Sequence, residues 1–544
     1  MEQIKSVFNK AVKTLYGKEV EVDLTRPDQE FGDFATNIAL KLAKEFNKNP
    51  REVAEEITQK IKDLPEITAV DIAGPGFINI RVSDGVLISA ITSDLNKVNH
   101  QKVVIETNNP NPFKAMHIGH AFNAIVADTI ANILERGGAE THRVSYHGDV
   151  GAHVGRSMYS LLRYVDGDPS KLDQIPDGER NTFMSRMYSE GTAAYKNDEN
   201  AKQEIDSLAS QSFTQEDPVY KKVYQTCAAW SFQQIDELVA ELGNKPIEKR
   251  YLESQADDLG VKTVKEHLGD VFIESEGALV FPGEKHGSFN NVFVSSNGRG
   301  LYGARDLGLI QLKNDDFHPD RSYIVTAEEQ RDYFKGVIKA AELCLPELKD
   351  TTINIPTGTV KLTSGKMSSR SGDVLEVGWL FEQISVAIKK RSSSDVEDVA
   401  KAAIRYQFLK VRIGNDIVFD VEEAANLQGN TGPYLQYAYV RALSILRRAQ
   451  EKSSPDRDFD ASEHGLLLKI SEYKEVLGRA VKELMPHYIA NYLYELTQEF
   501  NRFYEKNRII DDSREAQRLY VARLYADTLK DGLSVLGIPA PEKM

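Results

Sequence analysis

A multidomain α/β protein is predicted, with a doubly wound parallel sheet in its middle, an α+β segment before it and an all-helical segment after it. Three observations carry this prediction. At 544 residues the chain is too long for one ordinary core. From Lys102 a β-branched run, KVVIET, is followed by a long helix-like segment, HAFNAIVADTIANILERGG, and then by a second strand-like run, RVSYHGD. Strand, helix and strand in that order are the parts of a parallel sheet. From about residue 376 onward nearly every segment has helical periodicity.

The first domain is expected over residues 1–97. Its opening, MEQIKSVFNKAVKTLYGKE, reads as an amphipathic helix. It lacks the basic start, apolar block and small-residue cleavage site of a secretory leader. Asp33 is expected to cap the helical run FATNIALKLAKEF. VDIAGPGFINIRVSD reads as two short strands around a Gly-Pro-Gly turn, and the polar residues Asp94 to Gln101 as a linker. The second domain, 98–375, carries a helical insertion over about 157–265, after which strands resume at GALVF, NVFVSS and SYIVTA. The third, 376–544, is expected to be all helix, divided by the charged loop Glu451 to Ser462.

Composition narrows the function. With 41% hydrophobic and 27% charged residues the chain is of the soluble globular kind. No apolar stretch reaches the roughly eighteen residues that a membrane span needs. Cys227 and Cys344 are far apart and in no paired motif, which fits a reduced, cytoplasmic interior better than a disulfide or zinc framework. A formal charge of −15 weighs against nucleic acid as a default partner, though a local basic stripe can bind RNA on an acidic protein.

Two motifs carry chemistry. His117-Ile118-Gly119-His120 opens a helix after a strand, where backbone N–H groups and the positive helix end suit a triphosphate. Two imidazoles three residues apart share one side of the turn and can donate to phosphate oxygens, and Gly119 lets a base approach the backbone. Lys366-Met367-Ser368-Ser369-Arg370 lies in the polar loop TSGKMSSRSGD, which can close over a leaving pyrophosphate. Taken singly, each also fits a bland surface turn or a solvated basic loop.

In this order the two motifs resemble the signature pair of class I aminoacyl-tRNA synthetases. The runs PNPFKAMHIGH, SYHGDVGAH, YGARDLG, GKMSSRSGD and NTGPYLQYAYVRALSIL resemble the arginyl-tRNA synthetase family specifically. RPDQEFGDFATNIALKLAK with AGPGFINIRV resembles that family's extra N-terminal domain, so the likeness runs through essentially the whole chain. It implies a Rossmann-like catalytic domain, an N-terminal domain touching the tRNA elbow, and a helical anticodon-binding domain. The implied reaction activates arginine with ATP to arginyl-adenylate and transfers it to the 3′ end of tRNA(Arg). Partners would be tRNA(Arg), L-arginine and ATP with Mg2+, without a protein-bound structural metal or a membrane, the chain acting as a monomer. The family generally needs bound tRNA before it activates arginine.

The resemblance also assigns residues. His117, His120 and Lys366 would contact phosphates, with Pro110, Asn111 and Gly119 near the adenosine and Met367, Ser368 and Ser369 in the closing loop. Ser369 stands where the common class I loop has a second lysine, and Lys114 occupies the place from which several arginyl enzymes supply that charge. Asp306 matches the carboxylate that takes the guanidinium, a planar bidentate pairing that lysine cannot copy. Tyr302 shares its face if the segment is helical, and Gln330 matches another pocket residue. Asn111 and His153 fall where the family contacts substrate backbone or ATP. Phe122-Asn123 and Ser145 depart from the family pattern. For RNA, the interleaved Tyr437, Arg441, Arg447, Arg448, Arg502, Tyr504, Lys506, Arg508 and Arg523 are candidates, a pattern also common in plain amphipathic helices.

Three rivals are weaker. Of other class I synthetases, a cysteinyl enzyme needs more cysteines, and glutamyl and glutaminyl enzymes have different C-terminal regions and no need of Asp306. A small nucleotidyltransferase leaves the helical third unexplained, and a non-catalytic tRNA-binding paralogue has no use for His117, His120, Lys114 and Lys366 together.

Overall fold

The computed structural model describes residues 1–94, 98–363, 375–390, 396–449 and 458–544. The chain divides into two compact units, one made of residues 97–440, 477–491 and 531–544, the other of 1–96, 441–476 and 492–530.

The larger unit is built on five parallel strands. In chain order they are β1 (Lys102–Glu106), β2 (Glu140–His147), β3 (Lys249–Leu252), β4 (Arg321–Ala327) and β5 (Thr352–Thr357), lying side by side as β5-β4-β1-β2-β3. β1 is central, and Val103, Val104 and Ile105 are fully buried, which is why its sequence is an unbroken apolar run. Helices α1 (Ile118–Arg136), α2 (Glu253–Glu266), α3 (Tyr302–Phe317) and α4 (Arg331–Cys344) intervene between strands. α2 and α3 touch backbone to backbone. A Cβ on Gly260 would stand 1.7 Å from the Ala304 carbonyl oxygen, and one on Gly308 2.1 Å from that of Ala256, so only glycine permits the contact.

Behind α1, Arg405 is fully buried. Its guanidinium donates to Asp128 Oδ2 at 3.1 Å, Thr129 Oγ1 at 3.0 Å, Asn244 Oδ1 at 2.6 Å and the carbonyls of Leu242 and Leu536. Such saturation is what makes a buried charge tolerable.

Several expectations need correction. The helical insertion runs through Ala152–Val165, Arg180–Asn197, Glu199–Thr214 and Pro218–Glu241, but β3 follows and joins the sheet inside the range expected to be helix. β3 is short, and its Lys249-Arg250-Tyr251-Leu252 carries little β-branched signal. GALVF and NVFVSS do not extend the parallel sheet. They form a separate antiparallel sheet, Ile273–Ser275, Ala278–Phe281 and Asn291–Val294. In the expected all-helical part, Ile417–Phe419 pairs in parallel with Val360–Leu362.

In the smaller unit an antiparallel sheet places Phe77–Val82 between Phe34–Thr36 and Ile67–Ala73, around the expected Gly-Pro-Gly turn. Asp33 is not a helix cap; Asn37 occupies the N-cap of Ile38–Phe46. The buried Asp33 carboxylate instead accepts from the Val82 N–H at 2.8 Å and from His464 Nε2 at 3.1 Å. His464 Nδ1 donates to Asp84 at 2.6 Å. Hydrogen bonds to Asp33, then Asp84, raise the His464 pKa above its ordinary 6.5 despite burial. A raised pKa contributes stability that is fully present below the ordinary value and is lost as pH rises through the folded one. His464→Gln is therefore expected to lose about 1 kcal/mol at mildly acidic pH. That deficit should shrink as pH rises, in denaturant titrations run over a pH series; a constant deficit would remove the titration from the account.

Candidate active site

The loop from β1 to α1 ends in the histidine turn. His117 is the N-cap of α1, and its Nδ1 accepts the backbone N–H of His120 at 3.3 Å. The two imidazoles stack with ring centroids 3.6 Å apart, as the three-residue spacing implies. Gly119 lies between them, and a Cβ there would come within 3.1 Å of His117 Nδ1. Burial, then the nearby Lys114 charge, lowers the His117 pKa to about 4. Burial, then His117 and Lys114, lowers that of His120 to about 3. Both rings are neutral at physiological pH, each keeping one N–H to donate. His120 Nδ1 is buried without a hydrogen-bond partner among the described residues.

Lys114 is held in place by its neighbour. Phe113 has φ of 62°, a left-handed conformation that an aromatic residue rarely adopts. Its N–H donates to Ser231 Oγ at 3.1 Å, its carbonyl accepts from the Ser157 hydroxyl at 2.9 Å, and its ring is buried against Tyr224, 5.2 Å between centroids. The inserted helices thus over-determine the turn that presents Lys114.

The β1 and β2 loops are stitched together around the same turn. Asn111 Oδ1 accepts the Gly148 N–H at 2.9 Å, and Pro110 O accepts from His147 Nδ1 at 2.5 Å. His153 Nε2 donates to Gly148 O at 2.6 Å, and burial foremost lowers its pKa to about 4, with Lys114 a further cause. Ser145 is fully buried and donates to His147 Nε2 at 2.9 Å. Phe122 is buried and its ring meets Phe408 at 5.2 Å, so that departure from the family pattern is core packing. A small polar cavity beside α1 is lined by Glu106, Thr107, Asn109, His120, Asn123, Ala124 and Val325.

Asp306 lies in the first turns of α3, half-buried. Its Oδ2 accepts the Tyr333 hydroxyl at 2.5 Å. Burial raises its pKa to about 7, with Glu106 and Glu253 pushing the same way and Tyr333 and Lys313 opposing. Beside it, Arg305 bridges Glu253 and Asp257, at 2.8 Å each. Lys313 pairs with Glu106 at 2.5 Å in the core. Tyr302 is 69% exposed at the start of α3, and Gln330 is exposed at the end of the turn before α4. Tyr333, Glu253, Arg305 and Tyr146 were not expected from the sequence. Tyr333 lies in the same TAEEQRDYF run as Gln330, Arg305 in the YGARDLG run beside Asp306 and Tyr146 in the SYHGDVGAH run, signals within reach; Glu253 comes from a separate element that only the tertiary fold brings in.

Lys366, Met367, Ser368 and Ser369 lie outside the described residues. The chain beyond them is bonded to the histidine turn: Ile118 N–H donates to Leu375 O at 2.9 Å and Val377 N–H to Met116 O at 3.0 Å.

Histidine turn, Lys114 and Asp306 therefore gather at the carboxyl ends of parallel strands, where open α/β sheets bind ligands. Family models match from end to end: arginyl tRNA synthetase N terminal domain over residues 2–82, tRNA synthetases class I (R), catalytic domain over 83–421, and DALR anticodon binding domain over 435–544. The chain belongs to the arginyl-tRNA synthetase family. Among relatives named arginine–tRNA ligase, that of Phocaeicola vulgatus is 26% identical, covering 100% of this chain and 99% of its own. That of Borrelia hermsii is 28% identical, with coverage of 100% and 99%. The arginyl-tRNA synthetase structure from Thermus thermophilus superposes with a TM-score of 0.81 at 23% identity over all of both chains, which establishes a common fold.

The chain carries a parallel-sheet catalytic domain with an N-terminal domain before it and a C-terminal helical one after it. In the smaller unit, Arg441 stacks over Tyr504 at 4.3 Å, and Tyr504, Arg448 and Arg508 line a pocket with Ile445 and Asn507. Arg502 and Arg508 pair with Glu499 and Asp511, while Lys506 and Arg523 are exposed. Tyr437 belongs to the larger unit and is 47% exposed. Among the described residues no group of three His, Cys, Asp or Glu side chains could hold a metal, and no helix is long and apolar enough to cross a membrane. Cys227 and Cys344 are buried free thiols.

Proposed function

We propose that this chain joins L-arginine to the 3′-terminal adenosine of tRNA(Arg), taking ATP as its magnesium complex, and that it works as a cytoplasmic monomer. The arginine carboxylate attacks the α-phosphorus of ATP, the bond to the β-phosphate breaks and pyrophosphate leaves. A ribose hydroxyl of the tRNA then attacks the arginyl carbonyl and AMP departs. Displacement at phosphorus needs alignment and charge neutralisation more than covalent help. The observation that carries the reading is the Asp306 carboxylate, half-buried at the start of α3 and accepting the Tyr333 hydroxyl, in a chain of this family.

In this reading His117 and His120 donate as neutral imidazoles to phosphate oxygens, and Lys114 supplies positive charge that Ser369 lacks. Pro110, Asn111 and Gly119 receive the adenosine side. Lys366, with Met367, Ser368 and Ser369, covers the pyrophosphate. Asp306 takes the guanidinium, flanked by Tyr302 and Gln330, while Asn111 and His153 hold the substrate backbone. The Arg441–Tyr504 stack and its neighbours offer aromatic faces and cations to an RNA loop.

Aminoacylation of total tRNA with each labelled amino acid in turn tests it. Charging with arginine alone is expected. Charging with a different amino acid would overturn the pocket, and no charging by folded, tRNA-binding protein would overturn the reaction.

A further inference from the structure

We infer that Tyr333 is a positioning residue for arginine: its hydroxyl, at the start of α4, fixes the carboxylate of Asp306 that takes the guanidinium. This rests on the assignment of Asp306 to arginine made above.

A carboxylate in a bidentate pair must be ionised and must not swing. Among the described residues, no side chain other than Tyr333 donates a hydrogen bond to Asp306, at 2.5 Å to Oδ2. The cations that could have done so are committed elsewhere. Lys313, on the same helix, is paired with Glu106 of β1, and Arg305 with Glu253 and Asp257 of α2. The other groups facing Asp306 oppose its charge or leave it alone. Glu106 and Glu253 repel it, and the Tyr146 hydroxyl of β2 is buried nearby without a hydrogen-bond partner among the described residues.

The ring of Tyr333 is itself held. It packs on the apolar cluster containing Phe293, Leu307 and Val337 and lies edge-on to Phe334, 5.1 Å between centroids. The hydroxyl therefore arrives at Asp306 from a side chain with little freedom to move. Burial and the Asp306 charge push the Tyr333 pKa far above the ordinary phenol value, so it donates across the whole working range. The same bond opposes the burial that raises the Asp306 pKa to about 7. Removing the hydroxyl should leave a carboxylate that rotates more freely and ionises at higher pH.

The test is steady-state aminoacylation by the full chain with tRNA(Arg), arginine and magnesium-ATP over about pH 6–9, for wild type, Tyr333→Phe, Tyr333→His and Asp306→Asn. Tyr333→Phe keeps the packed ring. It is expected to raise the arginine KM about tenfold near neutrality, to leave kcat and the ATP KM within about twofold, and to move the acid limb of the arginine profile to higher pH. Tyr333→His, which keeps a donor, should stay within about threefold of wild type and shows whether donation rather than packing matters. An unchanged arginine KM and pH profile in Tyr333→Phe, with arginine use lost in Asp306→Asn, would overturn the role of Tyr333 and leave that of Asp306 standing. A fall in kcat and in ATP and arginine affinity alike, at every pH, would reduce Tyr333 to a packing group. Wild-type arginine kinetics in Asp306→Asn would remove the assignment beneath the inference and the inference with it.

Discussion

Asp306→Asn is expected to raise the arginine KM by a factor of about 100 to 1,000 while the ATP KM stays within about twofold. Truncating one side of a desolvated, hydrogen-bonded charge pair costs roughly 2–5 kcal/mol, much of it from leaving the other charge unpaired. The amide keeps the volume and one acceptor oxygen but turns an NH2 toward a guanidinium that can only donate. Wild type should show its own signature. With the Asp306 pKa raised to about 7, mainly by burial, arginine binding needs a carboxylate that protonates as pH falls through neutrality. Arginine affinity should therefore weaken on the acid side, and Asp306→Asn should lose that limb together with the affinity. Arginine KM measured against pH for both proteins decides the matter; an unaltered KM in the variant takes Asp306 out of the pocket.

Lys114→Ala is expected to slow adenylate formation by about 100- to 1,000-fold with little change in the arginine KM, because it removes a preorganised cation from the side where phosphate charge develops. Its position supports this: its charge is among the causes that lower the pKa values of His117, His120 and His153, so it stands close to three groups of the site. In Lys114→Ala those three pKa values should rise toward the ordinary range, which histidine NMR titration can follow. The position of Lys114 depends on Phe113, whose left-handed backbone is fixed by Ser157, Ser231 and a buried ring. Lys114→Arg, which keeps a cation on that backbone, should recover part of the rate. Pyrophosphate exchange in the presence of tRNA measures it; wild-type exchange in Lys114→Ala would mean that the charge absent at Ser369 is not supplied from here.

Local pattern determined a good deal by itself. The apolar run of β1 must be buried on both faces, since no alternation offers one to solvent, and that places it inside a parallel sheet. The step from β1 to a long apolar helix located the histidine turn, and the three-residue spacing stacked its rings. These features are written in contiguous residues, where periodicity and local sterics act. β3 was hidden, because four residues carrying two cations look like a helix end until β2 offers them a ladder. Asp33 looked like a cap because it precedes a helical run, but Val82 and His464, distant in sequence, claim its carboxylate. Tertiary structure alone decided the surroundings of Asp306. Two glycines let α2 and α3 meet and bring Glu253 to Arg305, β1 contributes Glu106, and α4 brings the Tyr333 hydroxyl. Residue type and spacing name a carboxylate; its charge, orientation and acidity come from desolvation and from partners on other elements, which no local pattern records.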